Sequence, residues 1–170
     1  RHQIIVKAWI LSIITGGTVN LICLDLEGVL VPEIWIGLAE RTGIDDLRQT
    51  TRDNPDYHDL MRSRMNLLDA HGLKVSDLQD VVAEMVPLEG AVSLLERLRP
   101  QFQVVILSDA FYELVTPLIR LLGWPTLLCH RLEIEQGRMV GYHLRQEDPK
   151  QCAVSAFQKL NLILSSMLLS

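Results

Sequence analysis

Two carboxylates, Asp25 and Glu27, follow a short apolar run and precede Gly28. If that run is a buried parallel strand, both acids lie at its carboxyl end, where ligands of such sheets bind. One carboxylate can attack phosphorus and form an acyl phosphate. The second can protonate the leaving oxygen and later activate water. Gly28 allows a tight turn that offers backbone amides to a phosphate. Taken alone, however, this stretch favours an ordinary acidic turn.

Two further positions carry groups suited to a phosphate. Ser108 and Asp109 end a second apolar run. The hydroxyl of Ser108 can donate to a phosphate oxygen, or this pair can cap the helix predicted to begin near Phe111. Both roles can hold together, because a helix N-terminus attracts anions. Lys150 opens a later helix and can neutralise phosphate charge, although any single lysine is more often a surface residue.

The elements that must position these residues alternate between strand and helix. Apolar runs predict strands at 20–25, 102–107 and 126–129, and a hairpin at 131–135 and 139–144. Helical patterns cover 33–85, 90–99, 111–122 and 149–160. This alternation predicts an α/β fold with a parallel sheet, and the helical block 33–85 is an insert after the first strand.

Composition excludes several classes of function. The 170 residues carry a net charge of −5 and form no basic stripe, so we expect no nucleic-acid partner. The apolar run from Ile4 to Ile14 is shorter than the roughly 20 residues that cross a bilayer, so we expect no membrane attachment. We interpret residues 1–18 as an extension outside the functional domain. Three scattered cysteines without metal-binding spacing predict reduced thiols and a cytoplasmic protein.

Together, Asp25, Ser108 and Lys150 have the order and approximate spacing of the first three motifs of the haloacid dehalogenase-like superfamily. The chain resembles that superfamily from about residue 21 to residue 160. Four stretches are more specific and look like its phosphoserine phosphatase branch, which also transfers phosphate to homoserine: residues 25–35, 50–53, 88–90 and 144–150. In that branch a Glu replaces the second Asp of the first motif, as Glu27 does here.

The resemblance implies a Rossmann-like parallel sheet, with residues 19–32 and 86–170 as the α/β core and 33–85 as a small helical cap. It also implies that Asp25 is the nucleophile and a Mg²⁺ ligand. Glu27 would be the general acid and base, and would give its backbone carbonyl to the metal. The phosphoryl group would be held by Ser108, Asp109, Lys150 and Gly28.

The same resemblance implies a phosphorylated amino acid as substrate. Glu33 would meet the ammonium group of phosphoserine, and Arg64 would hold its carboxylate with the guanidinium fork. Each of these residues could instead be an ordinary solvated charge on a helix.

The chain departs from the family pattern after Lys150. The fourth motif, Gly-Asp followed by another Asp, is expected near residues 161–170, yet no acid follows Asp148. This leaves Asp25 as the one expected carboxylate ligand of Mg²⁺, which usually has one or two. It also predicts an exposed edge beside the first core strand, unless residues 162–169 fill it as a strand. Two interpretations stay open. The chain is a Mg²⁺-dependent phosphatase, with water or homoserine as acceptor, or an impaired fragment that at most binds phosphorylated amino acids.

Overall fold

The computed structural model of the chain describes residues 10–16 and 19–167. It contains five strands, six α-helices and one short 3-10 helix in this part of the chain. In chain order they are β1 (Ile10–Gly16), β2 (Val19–Leu24), α1 (Ile34–Thr42), the 3-10 helix (Asp45–Arg48), α2 (Tyr57–Ala70), α3 (Val75–Glu84), α4 (Ala91–Leu98), β3 (Gln103–Phe111), α5 (Tyr112–Leu121), β4 (Thr126–Glu135), β5 (Arg138–His143) and α6 (Pro149–Met167).

The strands form one sheet in the order β1-β2-β3-β4-β5. The three central strands are parallel, with Leu24 beside Ile106 and Leu107 beside Leu128. Strands β1 and β5 are antiparallel to their neighbours. Helices connect the parallel pairs, as parallel strands require. The predicted α/β fold with a parallel core and a helical insert after the first core strand is confirmed.

The central strands are apolar on both faces because helices cover both sides of the sheet. Alternate residues point to opposite faces. One face, which includes Ile22 and Ile106, joins the main core beneath the cap and α5. The other face carries Cys23 and Val105, which pack with Ala153 of α6. Packing on both faces therefore fixes the positions at which β2 and β3 end.

The edge of the sheet beside β2 differs from the sequence-based expectation. Strand β1 pairs with β2, with Ile13 beside Ile22 and Ile14 beside Leu21, so that edge is covered. The alternative that residues 162–169 fill this edge as a strand is wrong for residues 162–167, because α6 continues to Met167. Residues 10–16 of the expected N-terminal extension thus belong to the sheet; residues 1–9, 17 and 18 lie outside the described residues.

The cap consists of α1, the 3-10 helix, α2 and α3. Its apolar residues are buried where the helices meet each other and the core, as Leu38, Met61, Leu78 and Val82 show. Helix α3 packs against α5, and α2 packs against β5. The cap is therefore held over the carboxyl ends of the central strands. None of the helices in the described part of the chain has the length and apolar character that crossing a bilayer requires.

Candidate active site

Three charged groups from separate elements meet where β2 and β3 end. Lys150, in the first turn of α6, places its Nζ 2.7 Å from Oδ2 of Asp25 and 3.0 Å from Oδ2 of Asp109. The other carboxylate oxygen of Asp25 accepts the Leu26 N–H at 2.8 Å. Both oxygens of Asp25 therefore have a donor, which stabilises the carboxylate and fixes its orientation.

Lys150 and Asp109 favour each other's charged form. Burial alone would lower the pKa of Lys150, but the carboxylates of Asp109 and Asp25 outweigh that effect and raise it above its usual value. Burial opposes ionisation of Asp109 too, yet contacts with His130 and Lys150 lower the pKa of its carboxyl group. The ammonium group of Lys150 and the carboxylate of Asp109 thus remain charged at neutral pH.

Glu27 has a different environment from its neighbour two residues earlier. Its Oε1 accepts the N–H of Ile34, the first residue of α1, at 2.9 Å. Burial raises the pKa of Glu27 to about 7, and although the Ile34 hydrogen bond opposes the shift, the nearby charges of Glu33 and Asp25 add to it. A carboxyl group with that pKa can both give and take a proton near neutral pH.

Gly28 shapes the turn between these acids and the cap. Its φ of +71° lies in the left-handed region that glycine adopts without strain, and a Cβ there would lie 3.3 Å from Oε1 of Glu33. The Gly28 N–H donates to the Val31 carbonyl at 2.8 Å. The glycine thus makes the turn possible, while its own amide already has a partner.

Ser108 precedes the cleft residue Asp109 in β3. It is buried, and its Oγ accepts the N–H of Ala110 at 3.1 Å. Strand β3 continues to Phe111, where it pairs with His130 of β4, and no side chain caps α5. The interpretation of Ser108 or Asp109 as a helix cap is therefore wrong. The hydroxyl proton of Ser108 can still be donated, since Oγ is an acceptor in the Ala110 contact.

A cleft of about 190 Å³ lies between these groups and the cap. Six of the eight predicted site residues line this cleft, four from the core and two from the cap. The other two, Ser108 and Gly28, do not line it. The lining residues are Asp25, Glu27, Asp109 and Lys150 of the core, and Glu33, Trp35, Ile36, Thr50, Thr51, Tyr57, Leu60 and Arg64 of the cap.

Arg64 is the cation of the cap wall and is only 6% exposed. Its guanidinium carbon lies 4.3 Å above the ring of Trp35, and Nη2 donates to the Gln49 carbonyl at 2.8 Å. Its Nε has no hydrogen-bond partner among the described residues. Burial lowers the pKa of Arg64 to about 10, so it remains charged at neutral pH. The alternative of a solvated helix charge is therefore wrong for Arg64. Glu33 is exposed at the cleft mouth, and for it both interpretations remain.

Two residues of the site, Tyr57 and His130, were not predicted from the sequence. Tyr57 lies in the cleft wall, and its hydroxyl donates to the Asp109 carbonyl at 3.1 Å. Its spacing from Leu60 and Arg64 places all three on one face of α2, a signal that could have found it. His130 is only 2% exposed and lies behind Asp109. No motif or local spacing marks it, because the contact depends on how β3 and β4 pair.

The chain is 63% identical over 139 residues to phosphoserine phosphatase ThrH of Pseudomonas aeruginosa, a match that covers 81% of this chain and 68% of that relative. The chain belongs to the phosphoserine phosphatase family. A phosphoserine phosphatase of Pseudomonas syringae pv. tomato is 58% identical over 152 residues, which cover 89% of this chain and 64% of that relative. The chain thus spans about two thirds of the length of these two family members.

Solved structures agree with this assignment at the level of the fold. A structure described as a phospho-aspartyl intermediate analogue of phosphoserine phosphatase superposes with a TM-score of 0.65 at 20% identity, covering 80% of this chain and 69% of that one. A scan against models of protein families found no match. The family membership therefore rests on the close relatives, and the α/β fold with its cap rests on both comparisons.

Proposed function

We propose that the chain removes the phosphoryl group from phosphoserine, with Asp25 as nucleophile. One observation carries the proposal. The Nζ of Lys150 lies 2.7 Å from Oδ2 of Asp25, and Glu27, whose pKa is raised to about 7, lines the same cleft. This combination is the one that nucleophilic catalysis with proton transfer needs. The relatives named phosphoserine phosphatase support phosphoserine as the substrate.

The proposed reaction has two displacements at phosphorus. An oxygen of Asp25 attacks, the ester P–O bond breaks, and the Glu27 carboxyl gives its proton to the departing serine oxygen. The Glu27 carboxylate then takes a proton from water as the water oxygen attacks phosphorus, and the bond to Asp25 breaks. Inorganic phosphate leaves, and both carboxyl groups return to their first states. Lys150 and the Ser108 hydroxyl hold the phosphoryl oxygens in both steps.

Substrate recognition is assigned to the cap. The buried guanidinium of Arg64 faces the cleft and is fixed by Trp35 and the Gln49 carbonyl, which suits a bound carboxylate. Glu33 offers a negative charge at the cleft mouth for the substrate ammonium. Phosphoserine would thus span from Lys150 to the cap.

The cleft supplies part of a Mg²⁺ site. The cleft carries the carboxylates of Asp25, Asp109 and Glu33 against the cations Lys150 and Arg64, so a dianionic phosphate needs a further positive charge. Asp25 and the backbone carbonyl of Glu27 would hold the ion together with phosphate and water, a hard oxygen set with one protein carboxylate. When bound, Mg²⁺ would neutralise phosphoryl charge. In the described part of the chain, no group of three or more His, Cys, Asp or Glu side chains is placed to hold a metal.

Phosphate release from L-phosphoserine by the purified chain tests the proposal, with Mg²⁺ and with EDTA. We expect metal-dependent release that Asp25→Asn abolishes. Asp80→Asn, at an exposed position of α3 away from the cleft, is the matched control and keeps the wild-type rate. Release by Asp25→Asn at the wild-type rate would contradict the assignment, and no release by any variant would favour the impaired fragment. Homoserine as acceptor is tested by adding it and measuring phosphohomoserine.

A cytoplasmic location is part of the same proposal. All three cysteines are free, with Cys23 and Cys129 buried and Cys152 exposed. Free thiols are typical of reducing compartments.

A further inference from the structure

The side chain of Asp109 lies between the phosphate-binding lysine and a buried histidine. Its Oδ2 is 3.0 Å from Nζ of Lys150, and its Oδ1 is 3.7 Å from Nε2 of His130. The second distance is longer than a hydrogen bond, so this contact is electrostatic. The Asp109 side chain is 47% exposed, so the carboxylate could turn toward solvent unless something on its far side holds it.

The imidazole ring of His130 lies on that far side and is held in one orientation. Its Nδ1 accepts the backbone N–H of Arg145 at 3.2 Å. The proton of the neutral ring is therefore on Nε2, the nitrogen nearest Asp109. The rings of Tyr57 and Phe111 lie 6.1 Å from the imidazole ring, centroid to centroid, and limit its rotation. A buried polar ring with one nitrogen bonded to the backbone has a fixed orientation.

We propose that His130 is a positioning residue that acts on Lys150 through Asp109. By attracting Oδ1, His130 keeps Oδ2 directed at the ammonium group, and Lys150 is then shared between Asp109 and Asp25. Without this support, Lys150 would pair with Asp25 alone and would be less well placed to receive the phosphoryl group. The inference rests on the proposed function, because it assigns Lys150 to the phosphoryl group.

Two substitutions separate this role from packing. In His130→Asn the amide reaches the Nδ1 position and can still accept from Arg145, but nothing replaces Nε2–H. In His130→Gln the longer amide places an N–H near the Nε2 position. For phosphoserine we expect His130→Asn to lower kcat about tenfold, or about 1.4 kcal/mol, with KM changed less. His130→Gln should restore most of the loss.

A double-mutant cycle with Asp109→Asn gives the decisive kinetic comparison. If His130 acts through Asp109, His130→Asn costs less than about twofold once Asp109 is already substituted. An equal tenfold loss in both backgrounds would overturn the proposal, because a role in packing does not depend on the Asp109 charge.

A spectroscopic measurement keeps the proposal testable if the chain releases no phosphate. The ammonium group of Lys150 is bonded to two carboxylates, so we expect its NMR signal to be visible, and its loss in Lys150→Arg assigns it. Asp109→Asn and His130→Asn should both shift this signal, and His130→Gln should not. A signal that responds to Asp109→Asn but not to His130→Asn would refute the positioning role, with or without turnover. Asp80→Asn, at an exposed position of α3 away from the cleft, is the control and should leave the Lys150 signal unchanged.

Discussion

Glu27 is a single residue on which both halves of the proposed reaction depend. Its pKa of about 7 leaves acid and base forms populated near neutral pH, and the two displacements use one form each. We expect kcat for phosphoserine to be highest near pH 7 and to fall on both sides. Glu27→Gln should lower kcat by roughly 10²–10⁴-fold. Steady-state rates from about pH 5 to about pH 9 check this, and a flat profile or a fully active variant would contradict it.

The same burial of Glu27 should reduce stability at high pH. The carboxyl group binds its proton more tightly when folded, since its pKa rises from 4.5 to about 7. The resulting stabilisation is complete below the unfolded value and is lost as pH rises through the folded value. Glu27→Gln, which never ionises, should therefore raise the free energy of unfolding at about pH 8 by on the order of 1–3 kcal/mol and have little effect at about pH 5. Urea titrations at both pH values measure this; equal effects would mean that ionisation is not the cause.

Arg64 is the residue that should decide which substrates bind. Arg64→Lys keeps the charge but loses the planar fork and the stacking on Trp35, so we expect KM for phosphoserine to rise about 10- to 100-fold with a smaller change in kcat. Phosphoethanolamine lacks the carboxylate, and its KM should respond much less. Arg62→Lys, on the exposed side of the same helix, is the control. Equal changes for both substrates would mean that Arg64 supports the cap rather than the carboxylate.

At the scale of elements, β1 protects the strand that precedes Asp25. Strand β1 pairs with β2 on the side that does not face β3. Without β1 that edge of β2 would be unpaired, and unpaired edges are prone to aggregation. Ile13→Pro removes a backbone donor from this strand and should lower the free energy of unfolding by about 1–3 kcal/mol and promote aggregation. Ile13→Val keeps the donor and is the matched control. Urea titration and light scattering measure both effects, and an unchanged Ile13→Pro protein would show that β1 contributes little.

The sequence predicts some element boundaries better than others. Apolar runs with polar ends locate β2, and the cap helices follow from their periodicity. Strand β3 extends to Phe111 because its pairing with β4 shifts after Leu107, and no local pattern reports a shift of that kind. The position of β1 was missed for a related reason. An apolar run does not say which strand it will pair with.

At the scale of the whole molecule, the motifs predict which charged side chains lie together in the site. Tertiary packing determines the contacts that those side chains make. Lys150 and Asp25 are 125 positions apart, yet their contact was expected from the family motifs. The shared use of Lys150 by Asp25 and Asp109, and the support from His130, follow from the parallel order of β2, β3 and β4. These contacts cannot be predicted from a single sequence, because they depend on the distances between side chains of different strands.

In the proposed reaction Asp25 carries the phosphoryl group during turnover. Glu27→Gln lacks the acid of the first displacement and forms the phosphorylated protein slowly. It also lacks the base that activates water, so the phosphorylated protein should accumulate over a long incubation with phosphoserine and Mg²⁺. We would quench this mixture in acid and measure the peptide that contains Asp25 by mass spectrometry, with the Asp25→Asn, Glu27→Gln double variant beside it. We expect one added phosphoryl group on that peptide and none on the same peptide of the double variant. An unmodified peptide, or a phosphoryl group on another residue, would contradict it.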